Sequence, residues 1–279
     1  MPICLPDLAS NLRLLPDGLW VTGSTQPVSF PPDGNRHCFA VEDQSFWFAH
    51  RNRCILSLLG RFPPPGVFFD VGGGNGFVTL AIQRAGYEAV LLEPGPAGAQ
   101  NARARGIAHV VCGRFEDAGF LPGILPAVGL FDVLEHIAED ASFLRLLHRA
   151  QPPGGRLYLS VPALPSLWSH EDKIAGHFRR YSLSAISNLL SSTGYVVEFA
   201  AACFTFLLLP VALLRALPYR LGLGRAAETE ASIRADHQIS GAIRLRILRW
   251  LIEREMNRLA SARPPRLGTS CLVVARRSA

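Results

Sequence analysis

One segment constrains the fold more than any other: a buried strand that runs into a glycine-rich turn and then a helix. Residues 67–71 form an apolar run interrupted only by Asp70. Glycines follow at alternate positions: Gly72, Gly74 and Gly76. Without a Cβ, the backbone at these positions can approach a ligand closely. The next apolar run, residues 89–92, ends in Glu93, and an acid about 20 positions after the glycines can bind both hydroxyls of a ribose. The unit therefore predicts a site for a nucleoside cofactor.

The glycine spacing indicates which nucleoside cofactor is bound. A dinucleotide fingerprint reads Gly-x-Gly-x-x-Gly, with a helix N-terminus facing a pyrophosphate. Here the spacing is Gly-x-Gly-x-Gly, and Asp70 stands two positions before the first glycine. This pattern resembles motif I of the class I S-adenosylmethionine-dependent methyltransferases, whose cofactor has no phosphate. Taken alone, the loop could also be a structural turn.

Downstream segments extend the resemblance. In this family an acid after the third strand, here residues 108–111, accepts a hydrogen bond from the adenine amino group, and a neighbouring apolar residue packs on the ring. Arg114 stands where many members have Asp, so the adenine contact is left to Glu116 or Asp117. Residues 127–131 and Leu-Glu-His at 134–136 resemble the UbiG-like branch (methyltransferase type 11/12) of bacterial enzymes. The resemblance implies these cofactor-binding residues: Asp70, Gly72, Gly74, Gly76, Glu93, Pro94, Phe115, Glu116, Asp117 and Leu130.

The order of predicted elements sets the fold class. Strands and helices alternate from residue 67 to 199, which predicts a parallel sheet with helices on both faces. In the resembled fold an antiparallel seventh strand follows the sixth directly, but here it appears only at residues 269–275. We expect a doubly wound, seven-stranded, mostly parallel α/β sheet of the Rossmann-like methyltransferase type, with a helical insertion between the last two strands. The expected segments are an irregular lead-in, the S-adenosylmethionine-binding core, an apolar and basic insertion, and the final strand: 1–40, 41–203, 204–262 and 263–279.

A polar loop after the fifth strand carries the candidate catalytic residue. It reads His-x-Asp from His170 and Gly-His-x-Arg-Arg-Tyr from Gly176, a pattern that resembles a motif of this branch. One interpretation is acceptor binding with proton abstraction by His177, since the pKa of histidine lies near neutrality. A second is a metal site from His170, Asp172 and His177, which we do not expect because the spacing lacks the i, i+4 geometry of a helix.

A structural loop is the third interpretation, with Arg180 and Tyr181 before a helix capped by Ser182. His136, at the start of the helix after strand four, is a second candidate base, and its alternative role is to fix the methionine end of the cofactor. The helix before the core, with Phe46-Trp47-Phe48, resembles one that leans over the reactive end of the cofactor. The residues predicted to bind the acceptor are Trp47, His170, Arg180 and Tyr181.

The insertion between the last two strands is apolar and basic. Residues 203–214 carry no charge, but they are too short to span a bilayer, which takes about 20 apolar residues. Residues 239–260 predict an amphipathic helix with a stripe of Leu245, Leu248, Ile252, Met256 and Leu259. One hypothesis is a lid that also rests on an anionic membrane. The alternatives are a helical hairpin packed on the sheet and a homodimer interface.

Composition limits which cellular compartment and which binding partners we expect for this protein. Six scattered cysteines without a CxxC pair argue against a disulfide framework or zinc site and fit a reducing cytosol. No secretory signal is evident, so we expect a cytoplasmic protein, with the inner face of the membrane as the alternative. The net charge is +6, and the excess lies after residue 203, with 13 Arg against 5 acids. That placement, and the lack of an Asn-Pro-Pro-Tyr-type motif, argue against a nucleic-acid partner.

The sequence thus predicts an enzyme that moves a methyl group from S-adenosylmethionine to a small-molecule acceptor, releasing S-adenosylhomocysteine. A hydroxyl of a hydrophobic or lipid-linked compound is the expected acceptor, because a nearby histidine suits a group that must lose a proton. The alternatives are an N-methyltransferase of a small molecule and a non-catalytic S-adenosylmethionine-binding scaffold.

Overall fold

One sheet organises the chain. In the computed structural model, residues 3–23, 28–31, 33–223 and 242–278 are described. Their nine strands are β1 (Leu12–Leu14), β2 (Trp20–Thr22), β3 (Phe68–Val71), β4 (Ala89–Glu93), β5 (Val110–Cys112), β6 (Ala127–Phe131), β7 (Arg156–Pro162), β8 (Tyr195–Cys203) and β9 (Ser270–Arg277). The order across the sheet is β1-β2-β5-β4-β3-β6-β7-β9-β8.

The topology confirms the predicted fold class. Strands β3 to β7 pair in parallel, and β9 lies antiparallel between β7 and β8. These seven strands are the predicted mostly parallel sheet. The hairpin β1–β2 extends it by two strands, with β2 pairing parallel to β5. Both strands of this hairpin lie in the lead-in, which the sequence analysis expected to be irregular.

Helices cover both faces of the sheet. The longer helices of the core are α1 (Gly34–Val41), α2 (Phe46–Arg61), α3 (Phe77–Arg84), α4 (Pro96–Ala104), α6 (Asp140–Ala150) and α8 (Leu183–Ser192), with short α5 (Phe115–Ala118) and α7 (His170–Ile174) between them. Neighbouring strand residues enter different hydrophobic clusters. Phe69 packs with Leu144 and Leu147 of α6, whereas Phe68 packs with Ile55 of α2. Because side chains alternate along a strand, these clusters lie on opposite faces.

The lead-in differs from its prediction. The sequence analysis expected an irregular segment at 1–40 and a helix that contains residues 46–48, but a separate helix, α1, occupies Gly34–Val41 before α2 begins at Phe46. Ser45 causes the break, because its extended backbone starts a new helix and its hydroxyl accepts from the amides of Trp47 and Phe48 at 3.2 and 3.4 Å.

The insertion begins after β8, as predicted. A continuous helical stretch runs through α9 (Leu208–Val211), a π-helical turn (Ala212–Ala216) and α10 (Leu217–Arg220). The last helix is α11 (Ala242–Ala260), and the predicted start at residue 239 lies outside the described residues. Leu248, Ile252 and Leu259 of the predicted stripe are buried, whereas Leu245 is exposed. None of the described helices combines the length and apolar character that crossing a bilayer requires.

Candidate active site

The glycine turn after β3 forms the floor of the site. Gly72, Gly74 and Gly76 all have positive φ angles of 55° to 77°, which glycine adopts without strain. A Cβ on Gly72 would lie 2.5 Å from Val133, and one on Gly76 would lie 2.3 Å from Ile107. The turn is therefore restricted to glycine by backbone conformation and by its neighbours.

Glu93 lies against this turn. Its Oε2 accepts a hydrogen bond from the amide of Gly74 at 2.9 Å, and its Oε1 accepts one from the amide of Gly95 at 2.7 Å. The side chain is buried, and burial raises the pKa of Glu93. The glycine turn and the acid that the sequence paired with it thus meet at the carboxyl ends of adjacent parallel strands, where ligands bind in such sheets.

A strap made of residues 28–31 and α1 crosses the same ends of the strands. The side-chain amide of Asn35 donates to Glu93 Oε1 at 3.2 Å, and Asn75 donates to the backbone carbonyl of Asn35 at 2.9 Å. On the other side, Ser29 donates to the carbonyl of His136 at 2.9 Å, and the ring of Phe30 packs edge-on against His136. The sequence assigned no functional role to this strap.

Asp70, the acid before the glycine turn, is buried. Burial raises the pKa of Asp70 to about 6, although the nearby charge of Arg51 opposes the shift. Thr79 donates its hydroxyl proton to Asp70 Oδ2 at 2.6 Å. A buried carboxylate with so little compensation favours a cationic partner.

Asp132 follows β6 in a left-handed backbone conformation, with φ of 60°. Such an angle is uncommon for a residue with a side chain, and it often occurs at functional sites. Arg51 of α2 donates to Asp132 Oδ2 at 2.6 Å, and Ser160 of β7 donates to Oδ1 at 3.0 Å. Helix α2 is thereby fastened to the reactive end of the sheet.

Glu135 is buried without compensation. Among the described residues, neither of its carboxylate oxygens has a hydrogen-bond partner. Burial and the charge of Asp132 raise the pKa of Glu135 well above its usual value. Four acids belong to the site, and of these Asp132 pairs with Arg51. The other three, Asp70, Glu93 and Glu135, have pKa values that burial raises.

His177 is held by Asp172. The Nδ1 of His177 lies 2.9 Å from Asp172 Oδ1, and Arg180 donates to the same oxygen at 2.7 Å. The amide and hydroxyl of Ser169 donate to Asp172 Oδ2 at 2.9 and 3.2 Å. Burial raises the pKa of Asp172, but the hydrogen bond from His177 and the charge of Arg180 outweigh it, so this pKa is lowered. The Nε2 of His177 lies 4.0 Å from Glu135 Oε1, facing the acidic site.

His136 packs against His177, with ring centroids 4.8 Å apart. Burial and the neighbouring His177 lower the pKa of His136 to about 4. The imidazole of His136 is therefore neutral at pH 7. Ligand atoms of Glu135, His136 and His177 lie within 4.8 Å of one another, so these three residues could hold a metal ion.

The metal set considered from the sequence is not brought together around one point. Asp172 is occupied by His177 and Arg180, and His170 packs edge-on against Tyr219 at 4.8 Å. A second group whose ligand atoms lie within 4.8 Å of one another consists of His50, Cys54 and Glu255. The sequence analysis did not anticipate either group.

The other predicted site residues have varied surroundings. Trp47 stacks on Phe204 at 5.3 Å and lies 5.2 Å from the Arg51 guanidinium. Tyr181 is buried and donates to Asp140 at 2.9 Å. The remaining cofactor candidates are two core residues (Phe115 and Leu130), two acids beside Arg114 (Glu116 and Asp117) and half-buried Pro94.

Four residues of the site received no role from the sequence: Asn35, Arg51, Asp132 and Glu135. Two of them carried a usable signal. Asp132 directly follows a predicted strand, and Glu135 belongs to the Leu-Glu-His signature. Asn35 gave none, because its contact with Glu93 joins residues far apart in the chain.

Comparison with known proteins agrees with this geometry. The model of the methyltransferase domain family matches residues 42–198. A ubiquinone biosynthesis O-methyltransferase of Pseudomonas paraeruginosa is 30% identical over 98 residues, which cover 33% of this chain and 42% of that relative.

Solved structures share the fold. Phosphoethanolamine N-methyltransferase 2 of Haemonchus contortus, in complex with phosphomonomethylethanolamine and S-adenosylhomocysteine, superposes with a TM-score of 0.58 at 14% identity, covering 89% of this chain and 58% of that one. The [4+2]-cyclase SpnF superposes with a TM-score of 0.52 at 14% identity, covering 81% and 80%. The family match spans more than half of the chain, and the glycine turn, Glu93 and the strand order agree with it. The chain therefore belongs to the class I S-adenosylmethionine-dependent methyltransferases, in their UbiG-like branch.

Proposed function

We propose that the protein methylates a hydroxyl group of a small hydrophobic or lipid-linked acceptor, with His177 as the general base. The observation that carries the proposal is the pair formed by Asp172 and His177, whose free ring nitrogen faces the acidic site.

The residues fit the cofactor of the family. S-adenosylmethionine carries a sulfonium, an ammonium and a carboxylate group and is positive overall. The site holds four acids together with the guanidinium of Arg51, and the charge of Arg180 also acts on Glu135. Glu93, at the end of β4, is the candidate ligand of the ribose hydroxyls, because Gly74 and Gly95 already fix its orientation. Asp70 and Glu135 are buried carboxylates that a cationic ligand would compensate. When bound, S-adenosylmethionine supplies an electrophilic methyl group.

In this proposal His177 removes the proton from the acceptor hydroxyl. If Nδ1–H donates to Asp172, Nε2 is unprotonated and can accept a proton from a hydroxyl. The imidazolium that forms is then stabilised by the carboxylate of Asp172, whose pKa is lowered, at 2.9 Å from Nδ1. His136 is less suited, because a pKa near 4 makes it a weak base at neutral pH.

Support for a hydroxyl acceptor also comes from the Pseudomonas relative, which is an O-methyltransferase of ubiquinone biosynthesis. This chain covers less than half of that relative, so the acceptor is a proposal. Trp47 stacked on Phe204 offers an apolar wall beside Arg51, which suits a hydrophobic compound.

N-methylation is the second candidate, because the Haemonchus neighbour is an N-methyltransferase. An unprotonated amine needs no base, so this reaction would not depend on His177. Binding without transfer is the third candidate, and a neighbour described as a cyclase shows that the fold alone does not fix the reaction.

The test is to replace His177 by glutamine and to measure formation of S-adenosylhomocysteine with matched phenol and aniline panels. We expect turnover of the phenol to fall by about a hundredfold while the Kd for S-adenosylmethionine stays unchanged. His109→Gln, at a histidine remote from this cluster in sequence, is the matched control. Equal turnover by His177→Gln and the unmodified protein would exclude the base, and turnover of anilines only would favour N-methylation. Binding of S-adenosylmethionine with no product in any panel would favour the scaffold.

A further inference from the structure

The helical stretch Leu208–Arg220 turns its leucines to solvent. Leu209, Leu213 and Leu217 recur every four residues, which places them along one side of a helix. They are 69%, 58% and 45% exposed, and Leu214 beside them is 70% exposed. The stripe continues past the helix at two further exposed leucines, Leu221 and Leu223.

This arrangement is the reverse of an ordinary surface helix, whose apolar stripe faces the core. Within residues 208–220 only Ala216 is buried. The alternative of a hairpin packed on the sheet therefore does not account for these leucines. A contiguous exposed apolar face of this kind marks an interaction surface.

The charge of the insertion identifies the partner. Its described parts, residues 205–223 and 242–260, contain seven Arg and two Glu. On α11, Ile247 and Trp250 are 53% and 57% exposed, and each directly follows an exposed arginine, Arg246 and Arg249 respectively. Leucines, a tryptophan and arginines on an exposed surface suit the boundary between acyl chains and anionic headgroups.

The stripe is joined to the active-site loop. Tyr219 packs on His170 at 4.8 Å, and Arg215 lies 3.6 Å from Glu171. Leu214 and Leu223 line a small cleft of about 80 Å³ together with His170. The same loop exposes Ile174 and Phe178, which flank His177 in sequence. An object bound to the leucines would therefore reach the loop that carries His177.

We infer that the leucine stripe, residues 209–223, docks the protein on an anionic lipid bilayer. The leucines enter the headgroup region, the arginines of the insertion meet lipid phosphates, and no span of the membrane is involved. This inference rests on the exposure of the stripe and on the excess of arginine in the insertion, and it does not depend on the identity of the methyl acceptor.

Vesicle sedimentation of the full chain tests the inference. The probes are phosphatidylcholine vesicles with and without phosphatidylglycerol. We expect binding only where phosphatidylglycerol is present and a loss of binding at high salt. The double variant Leu213→Gln, Leu217→Gln should weaken partitioning by about a hundredfold, about tenfold for each leucine withdrawn from the bilayer. The matched control is Leu121→Gln with Leu267→Gln, two exposed leucines outside the stripe, which should leave binding unchanged.

Two results would overturn the inference. One is failure of the unmodified protein to sediment with anionic vesicles. The other is equal sedimentation of the double variant and the control. Analytical ultracentrifugation tests the alternative that the stripe binds a second copy of the chain. If the unmodified protein does not bind vesicles but forms a dimer that the double variant loses, the stripe is a dimer interface. S-adenosylmethionine calorimetry on each variant verifies the fold.

Discussion

Replacing Asp70 by asparagine should make the protein more stable and a poorer binder of S-adenosylmethionine. Asp70 is buried, and burial raises the pKa of Asp70 from 3.8 to about 6. At pH 7 the native state thus holds a charge that it disfavours. Asparagine is nearly isosteric, removes the charge, and can still accept the hydrogen bond that Thr79 donates. Removing the charge stabilises the free protein, because the buried carboxylate is unfavourable there. It weakens cofactor binding, because the same carboxylate attracts the cationic cofactor.

The magnitude follows from the difference between the folded and the ordinary pKa. A shift from 3.8 to about 6 corresponds to about 3 kcal/mol, at about 1.36 kcal/mol per pH unit. Because the folded pKa is the higher one, the native state takes up a proton first as the pH falls. The stabilisation by asparagine should therefore be complete above pH 6 and absent below pH 3.8. Affinity of the unmodified protein for S-adenosylmethionine should fall about tenfold from pH 7 to pH 5, as Asp70 becomes protonated.

Urea unfolding at pH 7.5 and at low pH measures the first effect, and calorimetry with S-adenosylmethionine measures the second. Burial also raises the pKa of Glu93, so both proteins retain some pH dependence and their difference is the quantity of interest. The reasoning would be refuted if Asp70→Asn were less stable than the unmodified protein at pH 7.5. Equal pH slopes of binding in the two proteins would refute the assignment of Asp70 to the cofactor site.

Two further substitutions test the framework of the site. Asp172→Asn should lower the free energy of unfolding in urea at pH 7 by about 3 kcal/mol, because it leaves the buried guanidinium of Arg180 without its charge partner. Since the pKa of Asp172 is lowered, the contribution of Asp172 to stability should be lost as the pH falls below 3.8. A loss of less than about 1 kcal/mol would mean that the pair is solvated. Gly76→Ala should lower the free energy of unfolding by more than about 1 kcal/mol and weaken cofactor binding, because φ is 77° and the new Cβ would lie 2.3 Å from Ile107. Thermal unfolding measures the first effect and calorimetry the second. A melting temperature equal to that of the unmodified protein would show that the turn can relax.

Much of the fold could be predicted because its signals are local. The sequence assigned the glycine turn and Glu93 to one site; the turn follows β3 and Glu93 ends β4, and these adjacent parallel strands bring the two together. The late position of β9 was equally readable, because an apolar β-branched run stands alone near residue 270. In both cases the deciding patterns are short, local runs of sequence.

The rest depends on contacts that no local pattern encodes. The strap reaches Glu93 through Asn35, 58 positions away, and nothing in its sequence marks the contact. Tyr181 was predicted to bind the acceptor, yet its hydroxyl donates to Asp140, and only the packing of the loop decides that direction. The sequence identified residues 203–214 as uncharged, but it could not tell whether leucines such as Leu213 meet the core or the solvent.

The position of β9 also has a consequence for how the sheet is assembled. Strand β8 touches the sheet only through β9, which lies between β7 and β8. When residues 195–203 first leave the ribosome, their native partner β9 does not yet exist, and the whole insertion must be synthesised before residues 270–277 can complete the sheet. Until then β7 presents an unpaired edge, which is a template for wrong pairing and aggregation. Production of this protein should therefore depend on chaperone protection of a half-built sheet, and substitutions that weaken β9 should reduce yield more than they reduce the stability of the finished fold.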